Sequence, residues 1–210
     1  MTNFIPIFPL EIVVFPGEQL NLHIFEPRYK QLITECVQQK KPFGIPVVID
    51  KKIQDFGCLL HVKEITRSYD TGEMDVKTTG EKVFRILEII QEIPEKLYSG
   101  AIVNYPDNQF IGKPQVMKLL LQRMEEMHKS LQVKMKLSVS EDTISAYDIA
   151  HHSGLSLHQE YEFLQLLHEQ HRQEYLKRHF EEVVPKVKEV QKLKEKIQMN
   201  GHFRELQSPF

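Results

Sequence analysis

The chain has 210 residues, 41% of them hydrophobic and 27% charged, with a formal net charge of −2. It is too apolar to be disordered, and it offers no bulk basic field to hold nucleic acid or an anionic membrane. Two cysteines, Cys36 and Cys58, make neither a disulfide framework nor a four-thiolate zinc site and read as reduced apolar residues.

The residues from Met1 to Pro9 lack a basic leader region, and Glu11 interrupts the apolar stretch. No run approaches the ~18 apolar residues that would span a bilayer. A cytoplasmic protein without a membrane segment is expected. Seven of nine glycines and nine of eleven prolines lie at or before Pro114. This punctuation suits short strands and turns, and long helical patterns follow it. The boundary falls in the Pro106–Lys113 stretch.

In the first half, Leu20, Leu22 and Ile24 alternate with Asn21 and His23, which predicts a strand over residues 19–25. Phe25 shares the Asn21/His23 side, so that face is not plain solvent. Pro27 suits the first turn of a helix. Tyr29, Leu32, Ile33, Cys36 and Val37 then fall on one stripe of about three helical turns. Phe43–Ile49 reads as a strand in which Pro46 favours an edge or a bulge. A hairpin follows: Cys58–Lys63, a turn at Tyr69-Asp70-Thr71-Gly72, and a return through Met74, Val76 and Thr78. Residues 83–90 and 97–105 complete about six strands. They are too closely spaced for parallel crossovers, so a small antiparallel or mixed barrel is expected.

The second half reads as helical. Val116, Leu119, Leu120, Met124, Met127 and Leu131 form a stripe behind Pro114. Ser145 with Asp148, and Ser156 with Gln159, resemble capping boxes, and Gly154 suits a left-handed helix end. A last helix is expected from about Arg172 to Met199, kinked at Pro185. In it Leu176, Phe180, Val183, Val187, Val190 and Ile197 step by 4, 3, 4, 3 and 7, close to a heptad seam. Val183, Val187, Val190 and Ile197 are therefore candidates for pairing with a partner helix or a second copy.

Catalytic signatures are missing from the sequence. There is no phosphate-binding P-loop, no dinucleotide fingerprint and no nucleophile elbow. His168-Glu169-Gln170-His171 has too short a spacing for a zinc-protease helix. The histidines between His128 and His179 read as polar helix surface rather than as metal ligands. No cofactor and no metal are expected. The corner at His23, Phe25, Arg28 and Tyr29 groups residue types enriched at protein interfaces. Tyr29 also belongs to the helix stripe and could equally be core.

Phe8-Pro9-Leu10-Glu11-Ile12-Val13-Val14-Phe15-Pro16-Gly17 and Leu20–Tyr29 resemble the opening of the N-terminal substrate-binding domain of the Lon proteases. Phe56-Gly57-Cys58-Leu59, Asp70-Thr71-Gly72 and Gly80-Glu81-Lys82-Val83-Phe84-Arg85-Ile86 are similar to later segments of that domain. The resemblance runs to about residue 185. It implies an α+β fold: a PUA-like β-barrel, about six strands plus one helix, then an α-helical bundle with a long C-terminal helix. Residues 1–112 would form the barrel lobe and 113–210 the helical lobe, together one domain of the Lon N-terminal type.

The resemblance also implies binding of unfolded or exposed polypeptide segments. No ATPase or Ser-Lys protease segment follows, so a stand-alone, non-enzymatic module is expected. Candidate contact residues are His23, Phe25, Arg28, Tyr29, Asp70 and Thr71. The alternative is an adaptor or oligomerisation protein acting through its last helix, paired with itself or with a separate ATPase or protease. RNA binding is a third reading. The net charge, the absence of Trp and a basic run mixed with Glu argue against it.

Overall fold

The computed structural model describes residues 3–133 and 144–205. Its elements are β1 (Asn3–Pro6), β2 (Gln19–Ile24), α1 (Pro27–Gln39), β3 (Phe43–Ile49), β4 (Lys52–Ser68), β5 (Met74–Ile90) and β6 (Gly100–Asn104), followed by α2 (Pro114–Leu131), α3 (Ala146–Ala150), α4 (Leu157–Leu164) and α5 (Glu169–Glu205). The fold is α+β, as expected, with one antiparallel six-stranded sheet and a long C-terminal helix.

The strand order is β1-β6-β5-β4-β3, with β2 paired to β5 off that path. The segment after β1 brings the two ends of the path together. Ile7 and Leu10 form parallel bridges to Gly44 and Val47 of β3. The Phe8 amide donates to the Gly44 carbonyl at 2.8 Å, and the Val48 amide to the Leu10 carbonyl at 2.7 Å. Six strands were expected and six are present, but differently divided. The two strands expected over residues 74–78 and 83–90 are one 17-residue strand, β5. The N-terminal strand β1 is additional; it is only four residues long and ends on Pro6, which masks the strand pattern, and it pairs only with β6 on the sheet path.

Alternation along β4 explains why both of its rows are apolar. Cys58 and Leu60 enter a core shared with Ile24, Tyr29, Leu32, Ile33, Cys36, Phe43 and Val76. Leu59 enters a second cluster with Ile5, Ile7, Phe84, Ala101 and Val103. Helix α1 begins on Pro27 and buries Tyr29, Leu32, Ile33 and Cys36, the predicted stripe. Leu32 and Ile33, fully buried, each contribute about 1.5–3 kcal/mol of transfer free energy. Val37, the last residue of that stripe, is 39% exposed.

Residues divide into two compact units. One contains the strands, α1 and the segment Gly154–His168, including α4; the other runs from Ile111 to Ser153 and resumes at Glu169. In the first unit, Phe163 of α4 meets Phe15 edge-on at 5.8 Å, and the Tyr161 hydroxyl accepts from the Phe56 amide at 3.4 Å. Ser156 and Gln159 cap α4 reciprocally, and Ser145 and Asp148 cap α3, both as the sequence suggests.

In the second unit, α2 packs along α5 through Met117, Leu120, Met124 and Met127 against a face carrying Leu176, Phe180 and Val184. Glu169 and Arg172 are buried with it. Glu169 accepts from the Ala146 amide at 2.7 Å and from Arg172 Nε at 2.9 Å. The Arg172 guanidinium also lies 4.1 Å from the Tyr147 ring centre. The histidine-flanked glutamate of the H-E-Q-H stretch is thus a structural brace. Pro185 lies inside α5.

Candidate functional site

The register of β2 on β5 sets His23 directly opposite Asp75. Facing residues of an antiparallel pair point to the same side, so the two side chains meet. His23 Nδ1 lies 2.7 Å from Asp75 Oδ1. An ionised carboxylate only accepts, so Nδ1 donates. The other Asp75 oxygen accepts from the Tyr69 hydroxyl at 2.8 Å. These bonds, first from His23 and then from Tyr69, hold the Asp75 carboxyl below the usual carboxylate range. Glu73 stands 3.6 Å from His23 Nε2.

Aromatic rings surround this chain of hydrogen bonds. His23 stacks on Phe25 at 6.1 Å between centres and meets Tyr69 edge-on at 5.8 Å. The Arg67 guanidinium covers Tyr69 at 4.6 Å. Phe25 is 59% exposed. The hairpin tip is tied to α1 by Lys30, whose ammonium donates to the Thr71 carbonyl at 3.0 Å. Gly72 closes the turn, with φ +77° and its amide donating to the Tyr69 carbonyl at 2.8 Å. The result is an exposed apolar ring set among cations, carboxylates and aromatic edges. Such surfaces bind by apolar burial with a polar rim.

The candidates from sequence fall in different places. His23 and Phe25 sit together; Thr71 is at the hairpin tip, where its carbonyl accepts from Lys30 of α1. Asp70 is exposed at the same tip. Arg28 is exposed and paired with Glu26 at 2.7 Å. Tyr29 is not on this surface. It is 6% exposed, stacks on Phe8 at 3.8 Å, and carries the Arg28 guanidinium 4.5 Å above its ring. Its hydroxyl is pushed up, chiefly by burial. The residues the sequence reading missed are Tyr69, Glu73, Asp75, Arg67 and Lys30. Tyr69 was visible as a turn flank, but the β2–β5 pairing that recruits Asp75 has no local signal.

On α5, Val183 and Val187 are half-buried, while Val190 and Ile197 are 53% and 63% exposed. The position that the heptad steps skip is Lys194; Leu193, beside it and outside the pattern, is 58% exposed. Among the described residues no cluster of three or more His, Cys, Asp or Glu could hold a metal ion, and no helix is long and apolar enough to cross a membrane.

Solved structures share this architecture. The Lon N-terminal domain protein from Xanthomonas campestris superposes with a TM-score of 0.65 at 22% identity, covering 83% of this chain and 96% of that one. The N-terminal domain of the Mycobacterium avium complex Lon protease superposes with a TM-score of 0.61 at 12% identity, covering 86% and 99% respectively. At such identities these likenesses define the fold: that of a Lon N-terminal domain. Residues 5–204 match the model of the ATP-dependent protease La (LON) substrate-binding domain, and the chain belongs to that family.

Proposed function

We propose that this chain is a non-catalytic module that recognises exposed or unfolded segments of other polypeptides in the cytoplasm. The surface of His23, Phe25, Arg28, Asp70 and Thr71 makes the contact. The observation that carries this reading is Phe25: a large apolar ring, 59% exposed, held in a fixed setting by His23 stacking. A ring so placed costs free energy in water unless something covers it. Tyr29 contributes through Arg28, whose guanidinium lies over its ring. Neither cysteine offers a nucleophile: both are buried, and burial pushes the Cys36 thiol up to about 12.

The test is capture of a chemically unfolded model polypeptide by the wild type, Phe25→Ala and Arg28→Ala. Capture that weakens in both folded variants supports the site. No capture by the wild type, or equal capture by all three, removes it.

A second reading rests on α5. Val190, Leu193 and Ile197 follow one another at helical spacings of three and four and are all exposed. They fit pairing with a second copy or with a separate ATPase or protease. Sizing the protein with and without residues 186–210 tests this: conversion of an oligomer to a monomer favours assembly through the helix.

A further inference from the structure

Beyond Leu60 the strand β4 loses its neighbour. The β3–β4 ladder ends at Phe43 opposite Leu60. From His61 to Ser68, β4 pairs only with β5 among the described residues. Among the described residues no strand pairs with its other edge. Facing it is the C-terminal turn of α1, which ends on Lys40 in the left-handed conformation, φ 53°. Between helix end and strand edge lies a groove of about 460 Å³. That volume is within the range of built ligand sites, ~300–1,000 Å³.

The lining has two parts. Val37, Val62 and Ile65 give an apolar floor, with Val37 39% and Ile65 40% exposed. Lys40, Lys41 and Lys63 give the rim. Glu64 and His61 also line the groove, so three lysines stand there against one carboxylate, and both groups have partners on β5. Glu64 pairs with Lys77 at 3.7 Å, and His61 with Glu81 at 2.7 Å. No carboxylate forms an ion pair with any of the three lysines among the described residues. The groove is therefore cationic, apolar at its base, and open along a strand edge.

We propose that this groove binds an acidic polypeptide segment in extended form, its apolar side chains on Val37, Val62 and Ile65 and its carboxylates on Lys40, Lys41 and Lys63. The proposal rests on the polypeptide-binding reading and adds a second site with its own preference. An extended chain alternates its side chains every residue, so one row can lie on the apolar floor while backbone groups meet the strand edge. Charge selects the occupant. A lysine on an edge strand repels casual pairing with neutral or basic strands, and acidic residues turn that repulsion into attraction. A second copy of this chain would bring lysine rim against lysine rim, which disfavours self-pairing. The ladder shifts at Lys63 and Thr66 give the edge added twist, which narrows the choice further.

The experiment is fluorescence anisotropy of the full chain with a labelled octapeptide alternating Glu and Val. Saturable binding that weakens with salt is expected, reduced roughly tenfold or more in the double variant Lys40→Glu/Lys63→Glu. All three lysines are exposed, so the variant keeps its fold, and it should gain affinity for the matching Lys–Val octapeptide. Hydrogen exchange should slow at residues 61–67 when peptide is bound. Lack of Glu–Val binding by the wild type, unchanged affinity in the variant, or protection confined elsewhere would overturn the proposal. So would tighter binding of single-stranded oligouridylate to the same lysines, or self-association abolished by the same variant. Phe25→Ala should leave octapeptide binding intact while lowering capture of unfolded polypeptide. If the octapeptide fails while capture persists, the groove falls and the module stands; if both fail, the module reading falls as well.

Discussion

The backbone carbonyl of Phe15 occupies the space into which a side chain on Gly80 would project. The two segments are stitched at this point. The Gly17 amide donates to the Gly80 carbonyl at 2.9 Å, and the Gly80 amide to the Glu18 carbonyl at 2.8 Å. Thus the V-V-F-P-G stretch and the G-E-K-V-F-R-I stretch, distant in sequence, form one joint.

Gly80→Ala should therefore destabilise the protein by about 2 kcal/mol or more, because backbone rather than a flexible side chain must give way. Gly17→Ala is the comparison. Gly17 has φ +87° but nothing within 4 Å of an added Cβ. Its replacement should cost only about 1 kcal/mol of backbone strain. Urea unfolding midpoints of the two variants measure the difference, and equal shifts would refute the crowding argument.

Phe25 and Tyr29 sit four residues apart and should respond in opposite ways. Tyr29→Ala removes a ring buried against Phe8 and should cost about 3–5 kcal/mol, as large core truncations do. Phe25→Ala should leave stability within about 0.5 kcal/mol, since its ring is mostly in water. Paired thermal melts and capture assays show whether stability and binding separate in this way.

Glu35 gives the strand unit a defined acid sensitivity. Its carboxylate accepts from Lys96 Nζ at 2.8 Å and from the Tyr98 hydroxyl at 2.5 Å. First Lys96 and then Tyr98 hold it below the ordinary carboxylate range. A folded value below the unfolded one stabilises fully above about pH 4.3, and that stabilisation is lost as pH falls through the folded value. Lys96→Met should shrink this acid-dependent component. Urea midpoints measured from pH 7 down to pH 3 would show it as a shallower slope.

The two cysteines should be inert in the folded protein. Cys36 is 5% exposed and Cys58 fully buried. Burial raises both thiols, Cys36 to about 12. Alkylation at pH 8 should be slow without denaturant and rapid with it. Prompt labelling of native protein would show that the α1–β4 packing opens more readily than its burial implies.

Glu169 and Arg172 are worth most as a pair. Glu169→Ala leaves a buried guanidinium without its carboxylate and should cost about 3–5 kcal/mol, whereas Glu169→Leu with Arg172→Met should cost markedly less. A double-mutant cycle on unfolding free energies measures the coupling.

What the sequence revealed follows the range of the interactions involved. Pro27, the α1 stripe and both capping boxes act within one or two helical turns, so their residues announce them. The His23 side of β2 was also readable from alternation. The partner of His23 was not: Asp75 lies 52 residues away, and only the β2–β5 register brings it there. The expected strands stop at 78 and resume at 83, with Gly80 between them; in the fold Gly80 clears room for Phe15 inside one continuous strand. The groove beside β4 escaped notice for a related reason. It is defined by where β3 stops, and no residue in β4 records that.

The interleaving of the two units has a consequence for synthesis. Phe163, which closes on Phe15, emerges only after residues 111–153 have been made. At ~5–20 residues per second that is a wait of several seconds, during which a nascent strand unit displays an uncovered Phe15. A chain of this family would thus resemble, while it is being born, the kind of client it is proposed to bind.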